Sequence, residues 1–298
     1  MLTFDVPGRF WRGNLHCHSD RSDGALSPEE VCGRYREAGY DFVAVTDHFR
    51  AEYGFPVTDT RGVRDGGFTT LLGAELEAPR TEFASKWHIV AVGLPVGFVP
   101  PEPGETGPEL ARRARAAGAF IGMAHPAAAL LTVEDAATLD AAHAVEVFNS
   151  LAAREDRGDG LHLYDVLLGR GHRLDAYAAD DCHFQPQDPP GRDAWVRVRA
   201  ESLDPDALLS ALKAGHYYSS TGPEMHGIEI GDGRITVRCS PVRKIVVTGS
   251  VPGAQWRAGD GLTECSLPLD MFTRSPFVRV TVTDDAGARA WSNPMWRR

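Results

Sequence analysis

The sequence predicts an α/β fold: a closed or nearly closed barrel of seven strand–helix units over residues 1–224, with a small all-β appendage over residues 225–298. Three observations predict it. Up to about Tyr218, apolar runs alternate with amphipathic stretches, the rhythm of parallel strands joined by helices. Seven such units in one stretch favour a closed sheet over an open one. After about Met225 the helical pattern stops, and short alternating runs punctuated by Gly and Asp take over.

The expected strands cover residues 13–18, 42–47, 69–74, 89–94, 120–124, 144–148 and 174–179. Ser27-Pro28-Glu29-Glu30 is a capping box with proline at the first helical position, and its helix closes near Gly39. Further helices are expected over 108–117, 133–141 and 161–168, and another opens at Asp204-Pro205-Asp206 and closes at Gly215. In the appendage, Gly231-Asp232-Gly233 lies between two alternating runs and predicts a tight hairpin. Strands follow at 245–248 and 277–283, and Asp284-Asp285-Ala286-Gly287 marks a turn. Two loops, 97–108 and 185–191, are rich in Pro and Gly. The second follows His183 directly and is placed to form a rim over whatever binds there.

The net charge is −10, with acidic residues spread along the chain. Gripping a long nucleic acid needs clustered Lys and Arg, so such a partner is not expected. A small nucleotide or an oligonucleotide end remains compatible. The five cysteines are scattered, with no C-x-x-C pair, so no disulfide framework is expected and the reducing cytoplasm is the default compartment. The N-terminus lacks the pattern of a signal peptide, and no apolar run approaches the roughly 20 residues that span a bilayer. Oligomeric state is left open.

Polar residues with metal-binding chemistry collect where the apolar runs end. Leu15-His16-Cys17-His18 runs into Ser22-Asp23-Gly24, and Val45-Thr46-Asp47-His48 ends the second run. Ala74-Glu75-Leu76-Glu77, Ala124-His125-Pro126 and Asp180-Asp181-Cys182-His183 end later ones. Strand alternation points His16 and His18 one way and Cys17 the other, and it pairs Asp181 with His183. In a closed sheet the first and last strands are neighbours, so these two pairs meet at the C-terminal face, where barrel enzymes carry their sites. So many imidazoles and carboxylates need cations between them. Mixed N/O donors suit Zn, Mn or Fe.

The ordered set H-x-H-S-x-x-S-D-G, T-D-H, G-A-E-L-E, W-H-I-V-A-V-G-L, A-H-P, E-V-F-N and D-D-C-H, spanning residues 12–183, resembles the polymerase-and-histidinol-phosphatase (PHP) superfamily of metallohydrolases. Tyr217-Tyr218-Ser219-Ser220-Thr221-Gly222-Pro223 and Ala290-Trp291-Ser292-Asn293-Pro294 are similar to its carbaryl-hydrolase-like (CehA/McbA) branch. The resemblance implies a distorted seven-stranded βα barrel with two to three divalent metal ions. It implies His16, His18, Glu75 and Asp181 at a first metal, and Glu75, His88 and His125 at a second. Asp23, His48 and His183 would hold a third. Asp23 stands where other branches carry His, and His88 begins an apolar run instead of ending one.

The chemistry then expected is hydrolysis of a small phosphorylated molecule by a hydroxide shared between two cations. Asp47, with His48 beside it, is a candidate to orient the nucleophile or protonate the leaving group. Asn149 is expected to line the substrate site, and Arg21 and Arg154 to pair with phosphate, with Arg157 and Arg192 also near pocket-forming segments. Glu77 and Asp180 are expected to support the ligands or face solvent, and Cys17 and Cys182 to pack into the wall. Two alternatives stand beside this: a carbamate or carboxylic ester hydrolase on the same centre, and a non-catalytic, metal-stabilised binding module.

Overall fold

The strands form where the sequence is apolar and β-branched, and their directions decide what faces the site. The structure is a computed structural model that describes residues 2–3, 6–186 and 193–297. Its first part contains β1 (Leu2–Thr3), β2 (Arg9–Asn14), α1 (Pro28–Glu37), β3 (Phe42–Val45), β4 (His48–Phe49), β5 (Thr69–Pro79) and β6 (Lys86–Val92). There follow α2 (Gly107–Ala116), β7 (Phe120–Met123), α3 (Val133–Thr138), β8 (Ala144–Asn149), α4 (Leu161–Gly169) and β9 (Asp175–Ala179). The expected capping box at Ser27 is present, with the Ser27 hydroxyl accepting from the Glu30 amide and the Glu30 carboxylate accepting from the Ser27 amide.

Strand β2 pairs in parallel with β3, β3 and β4 with β5, β7 with β8, and β8 with β9. Beyond the ends of β2 and β9, an isolated parallel bridge joins Cys17 to Cys182. The parallel run is broken at β6, which lies antiparallel to both β5 and β7. Residues 80–85 are too few for the crossover that a parallel connection requires, so β5 and β6 form a hairpin. Two buried clusters flank the sheet, one around Ile89, Ile121, Val145, Tyr164 and Leu167, the other around Phe42, Val90, Phe120, Tyr177 and Val196.

The rest of the chain adds β10 (Trp195–Ala200), α5 (Pro205–Lys213), β11 (Tyr217–Ser220), β12 (Met225–Gly231), β13 (Arg234–Gly249), β14 (Gln255–Pro268), β15 (Phe277–Thr283), β16 (Arg289–Ser292) and β17 (Met295–Trp296). Strands β12 and β13 form the expected hairpin, with Asp232 and Gly233 both at positive φ, as a two-residue hairpin turn of this twist requires. Strands β10, β11 and β14 were not among those expected. The long β14 is mostly exposed and carries Gly259, Asp260 and Gly261, which erase any alternating pattern. The first part and the segment after residue 224 stay hydrogen-bonded, because β11 pairs with β10 on one side and β16 on the other.

The two motifs singled out at 217–223 and 290–294 build this seam. Ser219 Oγ donates to the carbonyl of Ala176 at 2.8 Å, and Asn293 Oδ1 accepts from the Ala176 amide at 2.9 Å. Asn293 Nδ2 donates to the carbonyls of Gly215 and Tyr217, both at 3.1 Å. Trp291 is buried and stacks on Phe148, and Arg279 makes a two-point pair with Asp165 of α4 at 2.8 and 2.7 Å. Among the described residues no helix is long and apolar enough to cross a membrane.

Two predictions follow from the seam. Replacing Asn293 by Ala strands the buried Ala176 amide and two carbonyls, and should cost about 1–3 kcal/mol in urea unfolding; a cost near zero would sink this account. Burial pushes the Asp175 carboxyl, at the start of β9 against Gly215, up to about 7. A carboxyl whose folded value is raised binds its proton more tightly in the folded chain, so stability falls as pH rises from about 4 to 7 and levels off above. The stability gained by Asp175→Asn over the parent should therefore grow between pH 5 and pH 8, and a pH-independent difference would refute it.

Candidate metal centre

Glu75, on β5, is fully buried and is the hub of the cluster. His48 Nδ1 lies 2.7 Å from its Oε2, His88 Nδ1 2.9 Å and His125 Nε2 3.0 Å from its Oε1. His16 Nε2 at 3.4 Å and His18 Nε2 at 3.6 Å complete the ring of imidazoles. Asp181 Oδ1 sits 3.2 Å from His16 Nε2 and 3.0 Å from His18 Nε2, so the i, i+2 pairs of the first and last strand ends do meet. The His18 and His183 rings stack with centroids 4.1 Å apart. On the outer side, Asp23 reaches His48 Nε2 and His183 Nε2, each at 3.3 Å.

His88 fits through the strand reversal. It begins β6, but β6 runs antiparallel, so its first residues lie where the other strands end. Two ligand candidates carry unusual backbone: His125 has φ 24° and Asp181 has φ 54°, both outside the usual range for residues with a side chain. Such conformations persist where the surrounding structure dictates the direction of a side chain.

Four sets of donor atoms lie close enough to share a cation: His18, Asp23, His48 and His183; His16, His18 and Asp181; His16, Glu75 and His125; His48, Glu77 and His88. The buried atoms His16 Nε2 and Glu75 Oε2 have no hydrogen-bond partner, although both face the cluster. Buried polar atoms are seldom left so. The donor set, imidazole nitrogen with carboxylate oxygen and no thiolate, fits divalent metal ions.

Electrostatics point the same way. Burial works against ionisation of Asp181, yet His16, His18 and His125 hold its carboxyl below the usual carboxylate range. Glu75 is likewise held low against burial by His88, His16 and His48. Burial and the charges of His183 and His48 bring His18 down to about 4. His48 is pushed up to about 12, because Glu75, Asp23 and Glu77 outweigh its burial. The cluster thus retains protons on some imidazoles while ionising its carboxylates, and cations arriving at such a site displace protons.

A second layer orders the first. Glu146, on β8, lies 3.2 Å from His16 Nδ1 through Oε1, and its Oε2 accepts from the His125 amide and from Asn149 Nδ2. Asp180 accepts from the Tyr35 hydroxyl and from the amides of Asp193 and Ala194. It therefore supports the ligand strand without facing solvent.

Three expectations are corrected. Asp47 is fully buried, and its carboxylate is occupied by the Ser19 amide, the Ser19 and Ser22 hydroxyls and the Thr58 hydroxyl. It braces the loop that carries Asp23 and has no face toward the pocket. Asn149 is also fully buried: Nδ2 donates to Asp181 Oδ2 at 3.1 Å and Oδ1 accepts from the Ala152 amide, so it positions a ligand and does not line a substrate site. Arg21 is an exposed side chain beside Asp20, away from the cluster. Arg154, by contrast, lines a pocket of about 330 Å³ together with His125, Ala128, Leu151, Ala152, Glu155 and Asp181. Arg192 and the loop 187–192 lie outside the described residues.

Glu146 is not among the expected site residues, whereas Glu77 was expected to support the ligands or face solvent. Glu77 is buried within 2.9 Å of His48 Nδ1. The alternation that paired His16 with His18 also puts Glu75 and Glu77 on one face of β5, so the signal was present.

Residues 14–144 match the family model of the PHP domain. A two-domain protein from Bacteroides vulgatus, containing a predicted PHP-like metal-dependent phosphoesterase, matches over 98% of this chain and 98% of its own, with a TM-score of 0.53 and 14% identity. That likeness is one of fold. A candidate metal-dependent phosphoesterase from Bifidobacterium adolescentis matches 67% of this chain and 95% of its own, at TM-score 0.43 and 17% identity. An amidohydrolase from Chromobacterium violaceum, with bound sulfate and no metal, matches 59% and 89%, at TM-score 0.41 and 17% identity. No curated protein matches the chain significantly.

If Asp47 is a brace, Asp47→Asn should lower the melting temperature of the cation-free protein, since a buried carboxylate with four donors is replaced by an amide that must turn an N–H toward some of them. Thermal unfolding checks this; an unchanged melting temperature would return Asp47 to the list of proton-transfer candidates.

Proposed function

We propose that the protein is a metal-dependent phosphoesterase acting on a small phosphorylated molecule or nucleotide. The observation that carries this is the meeting of the Glu75 cluster with the pocket where His125, Asp181 and Arg154 share one wall. In this assignment His16, His18, Glu75 and Asp181 hold one cation, Glu75, His88 and His125 a second, and Asp23, His48 and His183 a third. Bound there, two or three Mn, Zn or Fe ions would supply Lewis acidity that makes water nucleophilic near neutral pH and offsets charge on the phosphoryl oxygens.

The chain's own residues do the rest. Arg154 orients the substrate by pairing with phosphoryl oxygens at the pocket wall, the contact for which guanidinium is suited. Asp181 borders the same pocket, and Asn149 Nδ2 donates to its Oδ2 at 3.1 Å, which fixes the direction of this carboxylate toward the cation it would hold. Glu146 and Glu75 fix the ring planes of His16 and His125.

We assign the strands β2 to β9, with the two-residue β4 counted as a continuation of β3 along β5, to the distorted seven-stranded barrel of this family, with residues 225–298 as an appended β unit, and place the protein in the CehA/McbA-like branch. The five free thiols suit a reducing, cytoplasmic compartment. The apolar wall of Ala128, Leu151 and Ala152 favours a second substrate class, carbamates or carboxylic esters, on the same centre.

Nitrophenyl phosphate, bis-nitrophenyl phosphate and nitrophenyl acetate, offered to Mn-loaded protein, separate these. Cleavage of a phosphate probe is expected, lost in Asp181→Asn and reduced about 10–100-fold in kcat/KM by Arg154→Ala, the loss of one charge-assisted contact. Cleavage of the acetate alone would establish the ester hydrolase instead.

A further inference from the structure

Glu77 has no place in the nine-residue ligand set above, yet it is buried two residues along β5 from the hub. One of its oxygens, Oε2, accepts from Lys86 Nζ at 3.1 Å, and the other, Oε1, meets Arg50 Nε. These two cations fix a carboxylate that would otherwise be costly to bury beside Glu75. Arg50 is itself tied to Glu52 at 3.1 Å. Glu77 Oε1 is thereby held 2.9 Å from His48 Nδ1.

His48 stands between two sets of partners. Its Nε2 edge faces Asp23 at 3.3 Å, alongside His183. Its Nδ1 edge faces both Glu75 Oε2 at 2.7 Å and Glu77 Oε1 at 2.9 Å, and completes a hydrogen bond to neither. A neutral imidazole offers one lone pair and one N–H, so only one edge can ligate and the other must donate. Once the Glu75 oxygens are engaged by cations, Glu77 is the acceptor that remains for Nδ1–H.

We propose that Glu77 is a positioning residue: clamped by Arg50 and Lys86, it takes the Nδ1–H of His48 and so commits Nε2 of His48 to the cation shared with Asp23 and His183. The set His48, Glu77 and His88 is then not a fourth cation site, because Glu77 is already neutralised by two side-chain cations. This rests on the metal-centre assignment above. It makes this chain's third site depend on a carboxylate anchored through the β5–β6 hairpin and the segment after β4.

The test is zinc titration of the full-length protein against a chromophoric chelator, with bound metal counted by mass spectrometry. In Glu77→Ala one equivalent, the one also lost in Asp23→Ala, should weaken about 10–100-fold, the usual consequence of removing an orienting partner, while the others hold. Glu77→Gln keeps an acceptor oxygen and should recover most of that affinity. Unchanged titration of Glu77→Ala, equal weakening of every equivalent, or a Gln variant no better than Ala would each overturn the proposal. Should Glu77→Ala fail to fold by circular dichroism, Lys86→Met decides: weakening confined to the same equivalent supports the role, and unchanged binding refutes it. A parent protein that takes up no zinc would instead remove the metal-centre assignment on which the proposal stands.

Discussion

One carboxylate, Glu75, constrains the rest of the structure. It is wholly removed from solvent, and His16, His18, His48, His88 and His125 approach it from separate segments. An isolated carboxylate in such surroundings would take up a proton, because burial disfavours its charge. It stays ionised only if positive charge is gathered around it, on imidazolium or on metal. That requirement explains why the ends of so many elements converge at one point. The antiparallel β6, imposed by the short 80–85 connection, brings His88 into the same ring.

Holding so many polar groups together needs a second layer with little freedom. Glu146 reaches the His16 ring and the His125 backbone, Asn149 links Glu146 to Asp181, and Asp47 ties down the loop leading to Asp23. Asn14 adds to this by accepting from the Asp180 amide and donating to the His16 carbonyl. Each of these groups is buried and satisfied, so each direction is fixed by several bonds at once. The left-handed backbone at Asp181 is tolerable in this setting, since its amide and side chain are both committed.

Much of this was legible in the sequence because the relevant signals are local. Strand alternation placed His16 with His18 and Asp181 with His183, and capping chemistry placed α1 and α5. What failed to show was non-local. Asp47 looks catalytic beside His48, but the Ser19, Ser22 and Thr58 donors that consume it come from segments whose approach no local pattern encodes. Asn149 misled for the same reason. The direction of β6 could have been inferred from the shortness of the 80–85 connection, a simple geometric consequence. The motifs near Ser219 and Asn293 have a different explanation from the ligand motifs, since their polar atoms are consumed by β9 and its neighbours.

The pairing of cationic side chains finally decides what the β5–β6 side of the cluster can offer. On the β5–β6 side a pocket of about 310 Å³ is lined by Phe49, Arg50, Glu77 and Lys86, and looks at first like a phosphate site. Both its cations, however, are paired with Glu77, and Arg50 also with Glu52. Binding phosphate there would strip a buried carboxylate of its partners, at a cost comparable to breaking a buried ion pair. The pocket on the other side, lined by Arg154 and Glu155, borders His125 and Asp181, two members of the cluster itself. The ion pairs that hold Glu77 beside His48 are thus the ones that occupy both cations of the β5–β6 face.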